Sequence, residues 1–250
     1  MFVGFNADSL DGFAVVALKT IPANSVIHFN DNEWNGLSIG SGGAFNNASE
    51  TELSWYTGIA AILPGTVVTF NQTNNSGTIS VTTGTVNGTI SLAAGNEVLY
   101  AFLGTDSMTP TTFLSAISND GFGAGPITNT GLTAGTDAIE ITGDEDVMVY
   151  SGSTTCNTTI AACAALIADV GNWSTQDGGG EQHNDGTSPD FPTDVPPFFI
   201  INILPVTIIS LEAKEENSTC KINWETAQEF NSDYFILESS DNGQNWKEIG

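Results

Sequence analysis

Ile21-Pro22-Ala23-Asn24-Ser25-Val26-Ile27-His28-Phe29 is a phrase that the chain repeats. Leu63-Pro64-Gly65-Thr66-Val67-Val68-Thr69-Phe70 follows the same plan, as does Leu92-Ala93-Ala94-Gly95-Asn96-Glu97-Val98-Leu99-Tyr100. Leu132-Thr133-Ala134-Gly135-Thr136-Asp137-Ala138-Ile139-Glu140-Ile141 is a fourth copy. Each has an apolar anchor, small residues or Pro, a Gly or Asn suited to a left-handed turn, and then a strand. The intervals are uneven, which excludes a solenoid. The device is an anchor set into a core and a turn that launches the next strand. Short strands separated by turn signals predict a mainly β protein built on a β-sandwich. Phe5, Phe13, Val15, Ile27, Phe29, Val68, Phe70, Leu99 and Ile139 are the expected core.

Around these copies the chain divides into further segments. Phe2 to Asn6 and Gly12 to Leu18 read as strands joined by an Asp- and Gly-bearing turn. Thr111 to Ser118 is assigned to strand, and Val147-Met148-Val149-Tyr150 is another. Ile160, Ala161, Ala164, Leu166 and Ile167 recur at helical spacing, which predicts one short helix over Thr158–Val170, with Gly171 to end it. Leu37 to Ser49 reads as a surface loop, and Gly178 to Asp194 as a mobile one rich in Gly and Asp. Four Pro between residues 192 and 205 mark a boundary. The expected organisation is a sandwich over residues 1–203 followed by a second β module over residues 204–250.

Composition narrows the function. There are 29 Asp and Glu against 4 basic residues, all Lys, for a net charge of -25. Twenty of those acids and only Lys19 precede residue 204, a net charge of -19 for that part. Nucleic-acid binding needs Lys and Arg to displace counterions, so that class is excluded. Anionic membrane surfaces repel such a chain, and no apolar run reaches the length of a membrane helix, so membrane insertion is not expected. Glycans, surface proteins and cations remain as partners. Few basic residues with abundant Thr, Ser, Asn and Gly suggest an extracellular or outer-surface location. The chain opens as a strand rather than as an export leader, so a signal is expected outside this sequence. In an oxidising compartment Cys156 and Cys163 could close a small loop, leaving Cys220 free; the alternative is three free thiols.

The corner Phe29-Asn30-Asp31-Asn32-Glu33-Trp34-Asn35-Gly36 follows the first copy directly. Carboxylates and amide oxygens in one loop are what calcium takes. Calcium is therefore the candidate cofactor, with Asp8 and Asp11 joining Asp31 and Glu33 as ligands, and Asp144 with Asp146 as the alternative. A solvated acidic surface is the competing reading, because no stretch has the spacing of a regular calcium loop. Asp31 with Glu33, or Glu181 with Asp185, would be the carboxylate pair of a hydrolase, but nothing places a substrate between them. His28 and His183 lack a second His or Cys at metal spacing. Trp34, Trp55, Tyr56 and Trp173 are either a glycan-stacking platform or core residues. No catalytic motif emerges.

Two resemblances extend this. Leu204-Pro205-Val206-Thr207-Ile208, Ile222-Asn223-Trp224-Glu225-Thr226-Ala227-Gln228-Glu229 and Asp233-Tyr234-Phe235-Ile236-Leu237-Glu238-Ser239-Ser240 resemble fibronectin type III-like modules of secreted bacterial proteins. In that family these modules often precede a sorting domain read by the type IX secretion system. The resemblance implies an incomplete module over residues 204–250, with Trp224 as its core Trp. Val3-Gly4-Phe5-Asn6-Ala7-Asp8, Asp11-Gly12-Phe13-Ala14 and Asn30-Asp31-Asn32-Glu33-Trp34 are similar to lamin-tail-like extracellular sandwiches. Asp8-Ser9-Leu10 and Asp106-Ser107-Met108 resemble acceptors of bacterial O-glycosylation. Together they imply a non-catalytic secreted or cell-surface module serving adhesion, ligand binding or structure. The alternative is an accessory domain of a secreted hydrolase or nuclease whose catalytic domain lies elsewhere.

Overall fold

A computed structural model describes residues 1–46, 50–123, 125–156, 159–200, 208–216, 219–226 and 236–248. The chain forms two units, Met1–Asn202 and Ile203–Gly250.

The first unit contains β1 (Phe2–Asn6), β2 (Gly12–Val16), β3 (Val26–Asn30), β4 (Glu52–Tyr56), β5 (Val67–Asn71), β6 (Ser80–Val81) and β7 (Thr85–Gly88). It continues through β8 (Val98–Asp106), β9 (Thr109–Ser118), β10 (Ala138–Glu140), β11 (Val147–Tyr150) and β12 (Thr155–Cys156). α1 (Ile160–Ala168), a 3-10 turn over Val170–Asn172, β13 (Trp173–Gln176) and β14 (Phe199–Ile200) complete it. Two six-stranded sheets result, in the orders β13-β11-β1-β2-β5-β6 and β10-β9-β8-β3-β4-β7. Pairing is antiparallel except for β9 with β10. β12 and β14 form a short parallel pair of their own.

The two sheets meet through aromatic rings. Phe13 and Phe70 face each other across β2 and β5 and stack at 4.5 Å. Phe29 reaches across from β3, 4.6 Å from Phe13 and 5.2 Å from Phe70. Such contacts add to the roughly 2–3 kcal/mol that burying each ring contributes. The expected core residues are buried, with Val15 partly so.

The second sheet is covered on its outer face as well. Strand side chains alternate, so Leu99 and Ala101 point into the sandwich while Val98, Tyr100 and Phe102 point away. Those three join Trp34, Phe45 and Phe113 in a second cluster. The loop read as surface therefore contributes a buried lid residue: Trp34 bridges to Phe45, which is 6% exposed. Gly- and Asn-rich composition hid one useful Phe.

All four repeats place a left-handed residue before the strand: Asn24 (φ 59°), Gly65 (φ 86°), Asn96 (φ 57°) and Gly135 (φ 75°). One anchor differs. Leu63 is 62% exposed, and its neighbour Ile62 is the buried residue, bridging to Ile21. A one-residue shift beside an extended strand exchanges the faces.

Thr159 caps α1 by accepting the Ala162 N–H, and the helix buries Cys163, Ala164, Ile167 and Ala168. Thr158 lies outside the described residues. The helix stops before Gly171 because Asp169 is extended and accepts the Gly171 N–H into the 3-10 turn. Leu166 consequently faces solvent. Cys156 and Cys163 are disulfide-bonded, with Cα atoms 5.7 Å apart, and Cys220 is free and exposed.

The 178–194 segment, expected to be mobile, is mostly exposed but is anchored by the buried Gln182, Pro189 and Phe191. Phe191 is 2% exposed and lies over Gly4 and Gly12 of β1 and β2. A Cβ on Gly12 would lie 2.7 Å from the Phe191 ring and 2.7 Å from the Phe70 carbonyl oxygen, so only Gly admits this cover.

In the second unit β15 (Ile208–Glu216) pairs antiparallel with β16 (Thr219–Thr226), and β17 (Glu238–Ser239) with β18 (Lys247–Glu248) around the Asp241-Asn242-Gly243 turn. Residues 201–207 and 227–235, where the boundary and the start of the third expected strand fall, lie outside the described residues. Trp224 stands opposite Leu211 and is 42% exposed, so the described residues do not enclose it as a core Trp.

Candidate functional site

The strand registers collect one end of many strands at a common pole of the sandwich. Asn6 pairs with Gly12 and Val147, Asn30 with Glu52 and Tyr100, and Val98 with Ser118. Asp8, Asp11, Asp31, Glu33, Glu50, Glu97, Glu145 and Asp146 all follow or precede these strand ends. Eight acids spread along the sequence of the first unit thus share one end of the sandwich.

The buried members hold loops. Asp11 accepts the Leu92 N–H at 2.9 Å, fastening the β7–β8 loop to the β1–β2 turn. Asp31 accepts the N–H and hydroxyl of Thr51 at 2.7 and 2.8 Å. Glu97 accepts the N–H groups of Ala93 and Val98 at 2.8 and 3.0 Å. Asp146 accepts from Gly178 at 3.3 Å. Asn119, fully buried, completes the system. Its Oδ1 takes the Glu97 N–H, and its Nδ2 donates to the carbonyls of Ala93, Ala94 and Glu145, joining the two sheets.

Burial sets the electrostatics. It pushes the Asp11 and Asp31 carboxyls up to about 6, with their N–H donors opposing. Glu97 rises to about 8, through burial first and then the charges of Asp31 and Glu50, against the Ala93 N–H. Glu50, exposed by residue area, is pushed up to about 7 by lost hydration of its carboxyl and then by Glu33 and Asp31. Burial also raises Asp146, as do Asp177, Asp8 and Asp144. Burial favours the neutral acid and neighbouring negative charge adds to it.

The expected calcium set is not assembled. Among the described residues, no three of Asp8, Asp11, Asp31 and Glu33 bring carboxylate oxygens within 4.8 Å of one another, and neither does any trio containing Asp144 and Asp146. Asp8 lies instead by Asp146 and the 181–183 segment, while Asp31 lies by Glu33, Glu50 and Glu97. The physical reason is the backbone. Asp11 and Asp31 lie on different loops, the first fastened to Leu92 and the second to Thr51.

The corner after β3 is likewise a built turn. Asn30 accepts the Asn32 N–H at 2.8 Å and donates to the Ser107 carbonyl at 2.6 Å. Trp34 is 1% exposed, edge-on to Phe113 at 5.0 Å. Trp55 and Trp173 are buried too, which leaves Tyr56, at 43% exposed, as the one surface aromatic of the expected platform. His28 is buried against Ser54 at 2.8 Å, and burial holds its pKa low against the charge of Asp106. The opposite end of the sandwich carries an apolar cleft of about 690 Å³, with Phe2, Ile27, Trp55, Leu114 and Ile160 in its walls and Lys19 beside them.

Glu97, Asn119 and His183 were not selected from the sequence as site residues. The first belongs to a repeated phrase and reads there as strand lead-in. The second sits in Ser118-Asn119-Asp120-Gly121, which has the composition of an ordinary turn. No family model, curated protein or solved structure matches the chain.

Proposed function

We propose that the chain is a non-catalytic module of an exported, surface-displayed bacterial protein, acting in adhesion or ligand binding. The carrying observation is the use made of its polar groups. Asp11, Asp31, Glu97 and Asp146, the buried carboxylates of the described residues, each accept a loop backbone N–H. Groups that could do acid–base work are committed to fixing loops. Rigid loops on a sandwich are a common platform for recognition. The bonded Cys156–Cys163 pair supports an oxidising compartment, and the charge of -25 supports a solvated surface. Recognition then falls to exposed loop residues and to the apolar cleft beside Lys19. The lamin-tail-like and fibronectin-like resemblances belong to the same reading.

The test uses the intact chain immobilised on beads. It is exposed to polysaccharides, mucin-type glycoproteins, matrix proteins and nucleic acid, with retention and product release both measured. Retention of a glycan or protein without products is expected. Turnover of any of these substrates that is lost in Asp31→Asn or Glu97→Gln would overturn the reading.

A further inference from the structure

We propose that Asp8, Glu181 and His183 form a binding site for a divalent transition-metal ion of the zinc class. Asp8 lies in the β1–β2 turn, and Glu181 and His183 lie in the segment after β13. His183 Nδ1 is 3.0 Å from Glu181 Oε1 and 3.7 Å from Asp8 Oδ2, and one ligand atom from each residue falls within a 4.8 Å group. In a tetrahedral shell with bonds of about 2.0–2.1 Å, neighbouring ligand atoms stand about 3.4 Å apart. The two observed spacings lie on either side of that edge.

An independent observation concerns the ring nitrogen. His183 Nδ1 is buried and has no hydrogen-bond partner, although a carboxylate oxygen is 3.0 Å away. It is close to Glu181 but not aligned with it. Buried nitrogens of this kind call for a partner, and an ion between the three side chains supplies one. An imidazole among carboxylates favours zinc and its neighbours over calcium, whose preferred ligands are all oxygen.

Asp8 is already positioned. Its Oδ2 accepts the N–H groups of Gln182 and His183, and its Oδ1 accepts the N–H and hydroxyl of Ser9. The Ser9 hydroxyl, at 3.2 Å, can rotate to water and free a lone pair on Oδ1, so Oδ1 rather than the doubly occupied Oδ2 is the Asp8 oxygen open to the ion. His183 also lines a surface cleft of about 320 Å³ with Asn71, Asn184 and Phe191. The ion would fasten the segment carrying Phe191 to the β1–β2 turn and so secure the cover over the first sheet.

The experiment uses the full chain without a histidine tag, stripped of metal and carrying Cys220→Ser to remove the exposed thiol. Zinc and calcium are titrated by calorimetry and thermal melting, and cobalt(II) serves as an absorption probe of nitrogen–oxygen ligation. One zinc per chain is expected, with a rise in Tm that millimolar calcium does not reproduce. His183→Ala and Glu181→Gln should each weaken zinc at least tenfold, and His183→Ala should abolish the cobalt band. Glu181 is 46% exposed, so its variant keeps the fold and reports even if His183→Ala does not. No zinc binding, an affinity unchanged in Glu181→Gln, or a calcium effect equal to that of zinc would each overturn the assignment.

Discussion

The Asp31 carboxylate receives both the backbone N–H and the hydroxyl of Thr51, twenty residues away, at 2.7 and 2.8 Å. One side chain therefore closes the long β3–β4 connection and aligns Asn30 with Glu52 in the sheet. The same principle, a buried acid gripping a loop backbone, recurs around the pole and shapes how the protein should respond to pH and to substitution.

Stability should fall as pH rises from about 4 to 8. Asp11 and Asp31 have folded pKa values raised to about 6, and Glu97 to about 8. The folded chain therefore binds more protons than the unfolded one across that window, and each group loses stabilising effect as pH passes its folded pKa. Asp8, held low, works the other way and weakens the fold only as pH falls below its unfolded value. Unfolding free energies from urea titrations should decline from pH 5 to pH 8 by several kcal/mol in all. Midpoints that are flat or rise would show that these carboxyls do not titrate as the burial implies.

Asn119→Ala should be as damaging as loss of a core side chain. It removes three donated bonds and one accepted bond at a fully buried site, leaving the Ala93, Ala94 and Glu145 carbonyls and the Glu97 N–H without their partner. A loss of about 3 kcal/mol or more is expected from denaturant unfolding. A change below about 1 kcal/mol would mean that water replaces the amide.

Gly12→Ala tests the cover over the first sheet. The added methyl meets both the Phe191 ring and the Phe70 carbonyl oxygen, and the latter cannot move without disturbing β5. Destabilisation of about 1–3 kcal/mol is expected, with faster amide exchange in residues 186–195. Unchanged exchange there would show that Phe191 does not depend on this Gly.

Phe13→Ala should cost about 3–5 kcal/mol, because its ring contacts rings from both sheets. Leu in the same place should cost clearly less. Equal losses for the two variants would place the effect in ring geometry rather than in volume.

Alkylation of the native chain should label Cys220 alone, and all three cysteines after reduction. Reduction should lower stability by about 2 kcal/mol, the expected effect of opening so short a loop. Three reactive thiols in unreduced protein recovered from an oxidising medium would contradict the bond.

The sequence by itself determined the β class, the single short helix, the left-handed turn residues and most of the core. These depend on local chemistry: alternation, turn composition and the steric freedom of Gly and Asn act over a few residues. Tertiary structure alone decided which polar residues meet. Asp8 and Asp31 are close in sequence and both follow strands, yet one faces His183, 175 residues away from it, and the other faces Thr51 and Glu97. Trp34 could have been a surface platform, but became core because the far face of β8 carries Tyr100 and Phe102 and needed a cover. Strand order and register fix such pairings, and both depend on long-range hydrogen bonding between segments whose own residues do not name their partners.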